Sequence, residues 1–198
     1  MQIRNAIIQD LPYIYDICVK TGNSGTDATE LFNDPFMLGH FYASPYLFAK
    51  EACNFVAVVN GTVQGYILCA KNTKSFNAFL CTWLEPIANN YKNNFLPKTE
   101  TEKSLLEEII FYKNDFCPLF LEEYPAHLHI DLLPSLQGKG AGKLLIKTLL
   151  EELKKEKIKG LHLGVDAKNE KAINFYKKCG FSVLEKTSWG FYMGVRIC

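Results

Sequence analysis

Within Gln137-Gly138-Lys139-Gly140-Ala141-Gly142, three glycines fall in five residues. They follow an apolar stretch, Leu128 to Leu133, and open a strongly helical one, Lys143 to Lys157. A strand, a glycine-rich turn and a helix start together make an anion cradle. Without side chains the backbone approaches an anion closely, and the first helical N–H groups have no internal partner. The helix dipole adds partial positive charge at the same place. The segment predicts a phosphate-bearing ligand. It lacks the G-K-[S/T] ending of a phosphate loop and the G-x-G-x-x-G pattern of a dinucleotide site, which argues against a nucleotide site of either kind.

The elements that must carry this turn read as mixed α/β. Gln2 to Ile8 has the character of a first strand. Asp10-Leu11-Pro12 reads as a helix start, with Asp as cap and Pro in the first turn. Thr21-Gly22-Asn23-Ser24-Gly25-Thr26-Asp27 is a loop of turn formers, followed by a second helical stretch broken near Asp34-Pro35 and Ser44-Pro45. Asn54 to Val59 and Thr62 to Ala70 are strand-like, and Asn60-Gly61 between them signals a two-residue hairpin turn. Lys74 to Glu123 reads as an irregular, mainly helical insertion with breaks at Pro86, Pro97 and Pro118. His127 to Leu133 is a strand. Leu145, Leu149 and Leu153 form the apolar stripe of an amphipathic helix, with Leu144 and Thr148 beside them. Gly160 to Asp166 is the next strand. Asn169 is a helix cap before Ala172, Ile173, Phe175, Tyr176 and Cys179, and Gly180 sits where a left-handed helix end wants glycine. Phe181 to Leu184 and Phe191 to Ile197 close the sheet.

At 198 residues with 48% hydrophobic and 22% charged residues, one domain spanning 1–198 with a real core is expected. The net charge is +1, with no basic block beyond Lys154-Lys155-Glu156-Lys157, so the electrostatic footprint of a nucleic-acid binder is absent. No apolar run reaches membrane-spanning length, and the amino terminus has no signal-peptide core. The seven cysteines (Cys18, Cys53, Cys69, Cys81, Cys117, Cys179 and Cys198) are scattered, odd in number and without C-x-x-C. They suit neither a disulfide framework nor a zinc site, and point to small core residues in a reducing cytoplasm.

Two motifs in the carboxy-terminal half carry a resemblance. Gln137-x-x-Gly140-x-Gly142 resembles the Q/R-x-x-G-x-G/A element of the GNAT superfamily of N-acetyltransferases. Asn169-x-x-Ala172-x-x-Phe175-Tyr176-x-x-x-Gly180-Phe181 is similar to that superfamily's next signature, in the right order and at the right separation. A narrower resemblance spans nearly the whole chain. Thr21-Gly22-Asn23-Ser24-Gly25, Ser44-Pro45-Tyr46, Gly65-Tyr66-Ile67 and Tyr124 to Pro134 are similar to the acetyltransferase-like domain attached to some O-GlcNAc hydrolases and its free-standing bacterial relatives. Asn72-Thr73 departs from their Asp-Thr at a place that would touch the acceptor side. No glycoside hydrolase domain is present, so hydrolase activity does not carry over.

The resemblance implies the GNAT fold: an α/β (α+β) domain with a mixed, mostly antiparallel sheet of about seven strands flanked by helices, strands 4 and 5 splayed apart. It implies transfer of an acetyl group from acetyl-CoA, as co-substrate, to an amine acceptor by direct attack, with no metal. It places Ile130, Asp131 and Leu132 beside the cofactor's pantetheine arm, and the pyrophosphate on Gly138, Lys139, Gly140, Ala141, Gly142 and Lys143, with Gln137 and Asn169 at cofactor-contacting positions. Tyr176 takes the tyrosine position of the signature and the role of acid toward the leaving thiol; its alternative is a core aromatic. Many relatives carry a glutamate on the fifth strand five residues before the signature Asn. Here that position is Gly164.

Candidates for the base are therefore Asp131, then His129 and His127, with Asp166 a fourth. Asp131, His129 and His127 alternate, so an undisturbed strand puts all three on one face, whereas a bulge would split them. Histidine suits proton transfer near neutral pH. Aspartate is depleted in strands, so Asp131 needs either a task or a structural hydrogen bond that holds the splayed strands or the Thr21 loop. Trp83, Tyr42, Tyr46 and Phe36 are candidates for an acceptor pocket or for core. Sheet edges of this fold can pair, which makes a homodimer a candidate assembly. The competing function is a non-catalytic module that binds acetyl-CoA or a protein partner.

Overall fold

A computed structural model describes residues 1–92 and 95–197; Cys198 lies outside the described residues. Asn60 and Gly61 both take positive φ, 50° and 80°, which is the two-residue hairpin geometry that Asn-Gly favours. They join β2 (Ala52–Val59) to β3 (Thr62–Ala70). With β1 (Gln2–Asn5), β4 (Ala126–Leu132), β5 (Gly160–Asp166), β6 (Ser182–Lys186) and β7 (Gly190–Arg196) they form one seven-stranded sheet in the order β1-β2-β3-β4-β5-β7-β6. Every neighbouring pair is antiparallel except β4 and β5.

The parallel pair is short. Only Ala126 with Leu161 and His127 with His162 stand in register, while β4 continues beside β3 as far as Leu132. Beyond His127 the two central strands diverge, so peptide groups of Leu128 to Leu132 that face β5 have no strand partner there. This is the expected splay.

Helices cover both faces. On one face, α1 (Leu11–Thr21), α2 (Met37–Tyr42), α3 (Pro45–Phe48), α4 (Thr73–Lys92) and α5 (Glu100–Ile110) pack around Ile14, Ile17, Met37, Tyr46, Tyr66, Leu68, Leu84 and Ile109. On the other, α6 (Ala141–Lys155) and α7 (Glu170–Lys178) cover Ile67, Cys69, Leu128, Leu161 and Leu163. The α6 stripe is as expected, with Leu145, Leu149 and Leu153 fully buried, whereas Leu144 is exposed. Burying each such leucine contributes about 1.5–3 kcal/mol.

Three local expectations are corrected. Asp10 precedes α1 but does not cap it: its carboxylate takes both guanidinium nitrogens of Arg4 at 2.7 Å and the Ile7 amide at 2.9 Å. A charged bidentate pair outcompetes a neutral cap bond. Pro86 does not break the insertion's first helix but lies inside α4. It sits on the exposed side, where water can take the carbonyl that proline leaves unpaired. Phe76, Leu80, Leu84, Ala88 and Tyr91 keep the buried stripe continuous. The first strand ends at Asn5, three residues early, because Ile7 to Asp10 turns around the Asp10 carboxylate.

The start of α5 is tied into the same face by a buried acid. Glu102 is fully buried and accepts hydrogen bonds from the amides of Asn33 (2.7 Å), Asp34 (3.0 Å) and Lys98 (2.6 Å). It fastens α5 to the loop before α2.

Candidate active site

The glycine turn is built for close approach. Gly138 and Gly140 hold φ of 72° and 82°, and a Cβ on either would meet no atom within 4 Å. Both therefore open onto free space. The first backbone bond entering α6 runs from Leu144 N–H to Gly140 O at 3.1 Å, and among the described residues the amides of Gly138 to Lys143 make no ordinary backbone bond outside the helix. These amides and the helix dipole fit an anionic group. Gly142 serves a different purpose. It is buried, and a Cβ there would stand 3.0 Å from the Phe175 ring and 3.2 Å from Leu132 Cδ1. The third glycine thus lets α6 pack closely on β4 and α7. Gln137 sends its amide nitrogen back to the Leu132 carbonyl at 2.9 Å, tying the turn to the end of β4. Lys139 and Lys143 are exposed at the rim.

No register shift interrupts β4 beside β3, so the strand has no bulge there and His127, His129 and Asp131 all face the α1–α2 side. Leu128, Ile130 and Leu132 face α6. The three polar residues nevertheless have different surroundings. His127 Nε2 meets the Tyr46 hydroxyl at 2.6 Å and Nδ1 meets Thr73 Oγ1 at 2.8 Å, while that threonine hydroxyl also reaches the Pro125 carbonyl at 2.8 Å. A carbonyl can only accept. With the threonine proton given to it, Nδ1–H donates to Thr73 and Nε2 accepts from Tyr46. Both nitrogens are committed, and burial, with His162 and His129 nearby, drives the His127 pKa well below 6.5.

Asp131 Oδ2 accepts the Tyr66 hydroxyl at 2.6 Å, and the Thr21 hydroxyl lies against the same carboxyl. Burial raises its pKa, and the hydrogen bond from Tyr66 opposes the rise. Asp131 therefore ties β4 to its register partner Tyr66 on β3, while the Thr21 hydroxyl donates to the Ile17 carbonyl at 2.7 Å. Beneath it the Cys18 thiol is pushed up to about 12 by burial and by the Asp131 charge, so it stays protonated and is no nucleophile. His129 is different again. Among the described residues its ring nitrogens have no hydrogen-bond partner, and the ring packs against Tyr42 (5.6 Å between centroids) and Tyr46 (5.5 Å). Burial lowers its pKa to about 4, so the imidazole is neutral with a free lone pair at pH 7.

The opposite wall is aromatic. His162 on β5 lies 5.7 Å from His127, ring to ring, and its Nδ1 donates to the Tyr124 carbonyl at 2.8 Å. Phe116 and Phe120 pack on Tyr192 at 5.2 and 5.3 Å, and Trp189 meets Tyr192 edge-on at 5.3 Å. A Cβ on Gly164 would stand 2.9 Å from Trp189 Cη2. The indole occupies the space that a longer residue at 164 would need.

Tyr176 closes the α7 side. It is 8% exposed, and among the described residues its hydroxyl has no partner. It is not sealed in: Ser44 Oγ is the only fully enclosed side-chain polar atom without a partner among the described residues. Burial, then the Asp131 and Cys179 charges, raise its pKa, so Tyr176 carries its proton at neutral pH. Asn169 caps α7, its Oδ1 accepting the Ala172 amide at 3.1 Å. Its Nδ2 is 3.8 Å from where a Cβ of Gly25 would be, so the Thr21 loop reaches across to α7. Asp166 falls outside the cleft, its Oδ1 bound to the Lys168 amide at 2.7 Å in the turn before α7. Asn72 does the same for α4 by accepting the Ser75 amide at 3.1 Å.

Of the four aromatic candidates, Tyr42 and Tyr46 reach the site through His129. Trp83 stacks on Phe48 and donates to the His40 carbonyl, and Phe36 packs on Tyr15, both away from it. The sequence reading missed His162, Tyr66, Trp189 and Tyr192. His162 carried a signal as an ionisable residue on a buried strand two residues before Gly164, and Tyr66 carried one as part of the Gly65-Tyr66-Ile67 run.

A mixed seven-stranded sheet whose parallel central strands part beside a glycine-turn helix defines an acetyltransferase-type fold. The family model for the acetyltransferase (GNAT) family matches residues 25–181, and the chain belongs to that family. It is similar over its full length to the crystal structure of SsHAT, with 29% identity, 98% of that chain covered and a TM-score of 0.84. More distant likenesses are of fold alone. One is yncA from Salmonella typhimurium with its cofactor acetyl-CoA (18% identity, TM-score 0.59, 100% of this chain and 94% of that one). Another is the paia N-acetyltransferase from Thermoplasma acidophilum in complex with coenzyme A (16% identity, TM-score 0.57, 98% of each chain).

Proposed function

We propose that this chain is an acetyl-CoA-dependent N-acetyltransferase acting on a primary amine of a small molecule or peptide. The observation that carries the proposal is the pairing of an open glycine cradle with an unpartnered Tyr176 hydroxyl across the gap between β4 and β5. Acetyl-CoA supplies the acetyl group as an activated thioester. The backbone from Gly138 to Lys143 would hold its pyrophosphate, and the unpaired β4 edge from Leu128 to Leu132, including Ile130, would align the arm. A groove of about 400 Å³ continues from Lys143 along Ile146, Lys147, Leu150 and Lys154. Its apolar floor and lysine rim suit the base and phosphate of the nucleotide end.

In the transfer, a bond forms between amine nitrogen and acetyl carbon and the carbon–sulfur bond breaks. The nitrogen loses a proton and the sulfur gains one. Tyr176 holds a proton for the sulfur. His129 is assigned the proton from nitrogen, because both ring nitrogens of His127 are hydrogen-bonded and the Asp131 carboxyl is held by Tyr66, whereas the His129 ring nitrogens have no hydrogen-bond partner among the described residues. The nitrogen sheds its proton more readily as the new bond forms, so a weak base is sufficient. His127 and Asp131 hold the frame.

The narrower kinship with the acetyltransferase-like domains of O-GlcNAc hydrolases belongs to this proposal, supported by the Thr21 to Gly25 and Tyr124 to Pro134 runs. So does a cytoplasmic location, resting on the scattered cysteines. The second reading, a binding module without transfer, is favoured by one observation: Trp189 fills the space beside Gly164 where many relatives carry glutamate. Acetyl-CoA at about 100 times its dissociation constant stabilises a fold by about 2.7 kcal/mol, roughly 5–10 °C in melting temperature at this size. A shift of that order together with thiol release across an amine panel supports the enzyme. A shift without thiol release leaves the binding module, and no shift removes both.

A further inference from the structure

The His129 imidazole has no hydrogen bond among the described residues, so its direction is set by the rings packed on it. These are Tyr42 at 5.6 Å and Tyr46, edge-on, at 5.5 Å. Tyr46 is fully buried and is fastened at ring, backbone and hydroxyl. Its ring stacks on Phe76 of α4 at 4.3 Å and 28°. Its carbonyl accepts Asn54 Nδ2 at 2.7 Å, and Asn54 Oδ1 accepts the Cys69 amide at 3.1 Å, so the short α3 is tied to β2 and β3. Its hydroxyl donates to His127 Nε2 at 2.6 Å. Behind His127 stands Thr73, the first residue of α4, whose amide and hydroxyl both donate to the Pro125 carbonyl at 2.8 Å. Thr73 Oγ1 can therefore only accept from His127, which puts the imidazole proton on Nδ1 and leaves Nε2 to receive the Tyr46 proton. The opposite tautomer would make Tyr46 an acceptor and release its proton. A base without a hydrogen-bonded orienter depends on neighbours whose own rotamers are locked.

We propose that Tyr46 and Thr73 are positioning residues for His129: Tyr46 holds the imidazole by ring contact, and Thr73 keeps the Tyr46 hydroxyl turned to His127 by fixing the His127 tautomer. This rests on the acetyl-transfer reading and on His129 taking the amine proton within it. The relay gives different tasks to two histidines on one face of β4. His127 locks Tyr46. His129 keeps its lone pair for the acceptor, because the Tyr46 proton is already committed to His127. No proton passes along Thr73, His127 and Tyr46 in a turnover; their hydrogen bonds set an orientation.

Thr73→Val, Thr73→Ser and Tyr46→Phe are compared in the full chain, each alone and each combined with His129→Gln. Thr73→Val and Tyr46→Phe are expected to lower kcat about tenfold, with KM for acetyl-CoA and the acetyl-CoA melting shift unchanged. Thr73→Ser keeps the hydroxyl and is expected to hold kcat within about twofold of the wild type. In the His129→Gln background, Thr73→Val and Tyr46→Phe are expected to lower the residual rate no further, because their effect passes through the side chain already removed. The nitrogen NMR spectrum of the histidine side chains needs no turnover. It is expected to show His127 as the Nδ1–H tautomer in the wild type and in Thr73→Ser, and a changed tautomer in Thr73→Val. The inference is overturned by an Nε2–H tautomer of His127 in the wild type, by undiminished kcat in Thr73→Val and Tyr46→Phe, or by losses of equal size with and without His129. A full rate in His129→Gln also overturns it and leaves acetyl transfer standing. A missing acetyl-CoA shift overturns the transfer reading instead, and the failures are separate measurements.

Discussion

Tyr176 and His129 are both side chains whose polar atoms lack partners while their neighbours have them. His127 shows the contrast: two strong hydrogen bonds fix its tautomer and remove its lone pair from use. Neither Tyr176 nor His129 holds a fully enclosed polar atom without a partner, so both stay open to a partner that arrives with a ligand. Tyr176→Phe is expected to retain the acetyl-CoA melting shift and to lower kcat about 10²-fold or more, as measured by thiol release. An unimpaired kcat removes Tyr176 from the acid role. His129→Gln keeps polarity and approximate size but offers only an amide. The expected loss is again about 10²-fold in kcat with the cofactor shift retained. A full rate in that variant would leave proton removal to water or to the acceptor itself.

At the scale of elements, the β4–glycine turn–α6 unit separates two tasks that look alike in one motif. Gly138 and Gly140 keep space open on the ligand side, and Gly142 admits Leu132 and Phe175 on the protein side. Gly140→Asp places a carboxylate at the start of α6, where the helix dipole holds it in the cradle. It also asks an L-residue to adopt φ near 82°, at a cost of about 1–2 kcal/mol. The variant is expected to fold with a modestly lower melting temperature and to lose the acetyl-CoA shift entirely. Retained affinity would locate the phosphates elsewhere, for example along the Lys147–Lys154 groove alone.

Across the whole molecule, three histidines are packed together around the β4–β5 junction, and burial depresses the pKa of each: His129 and His162 to about 4, His127 well below its ordinary value. In the unfolded chain each titrates near 6.5. Between those values the unfolded state binds more protons, so stability is complete above about pH 6.5 and falls as pH drops toward 4. Asp131 acts in the opposite sense: its raised pKa means that the folded state takes up its proton first as pH falls through the carboxylate range. Asp10, held low by Arg4, withdraws its contribution only below its unfolded value near 3.8. The expected result is a melting temperature that declines steadily from pH 6.5 to 4.5. His162→Asn is expected to flatten part of that decline; a melting temperature independent of pH over this range would mean that the histidines are already solvated.

Local chemistry by itself determined the glycine cradle, the Asn60-Gly61 hairpin, the α6 stripe and the Asn169 cap, because each depends on residues within a few positions of one another. The alternation of His127, His129 and Asp131 was legible too, but whether a bulge splits them between faces was decided by the unshifted register of β4 beside β3. Their division of labour was not legible. Tyr46 and Thr73 lie 81 and 54 residues from His127, and Tyr66 lies 65 from Asp131. Only the folded sheet and the helices above it decide which polar atom receives a hydrogen bond and which is left facing the cleft. The same holds for Trp189 and Tyr192. Nothing around these residues in the chain marks them, and their meaning comes from a gap between strands that exists only because the β4–β5 ladder stops at His127 and His162.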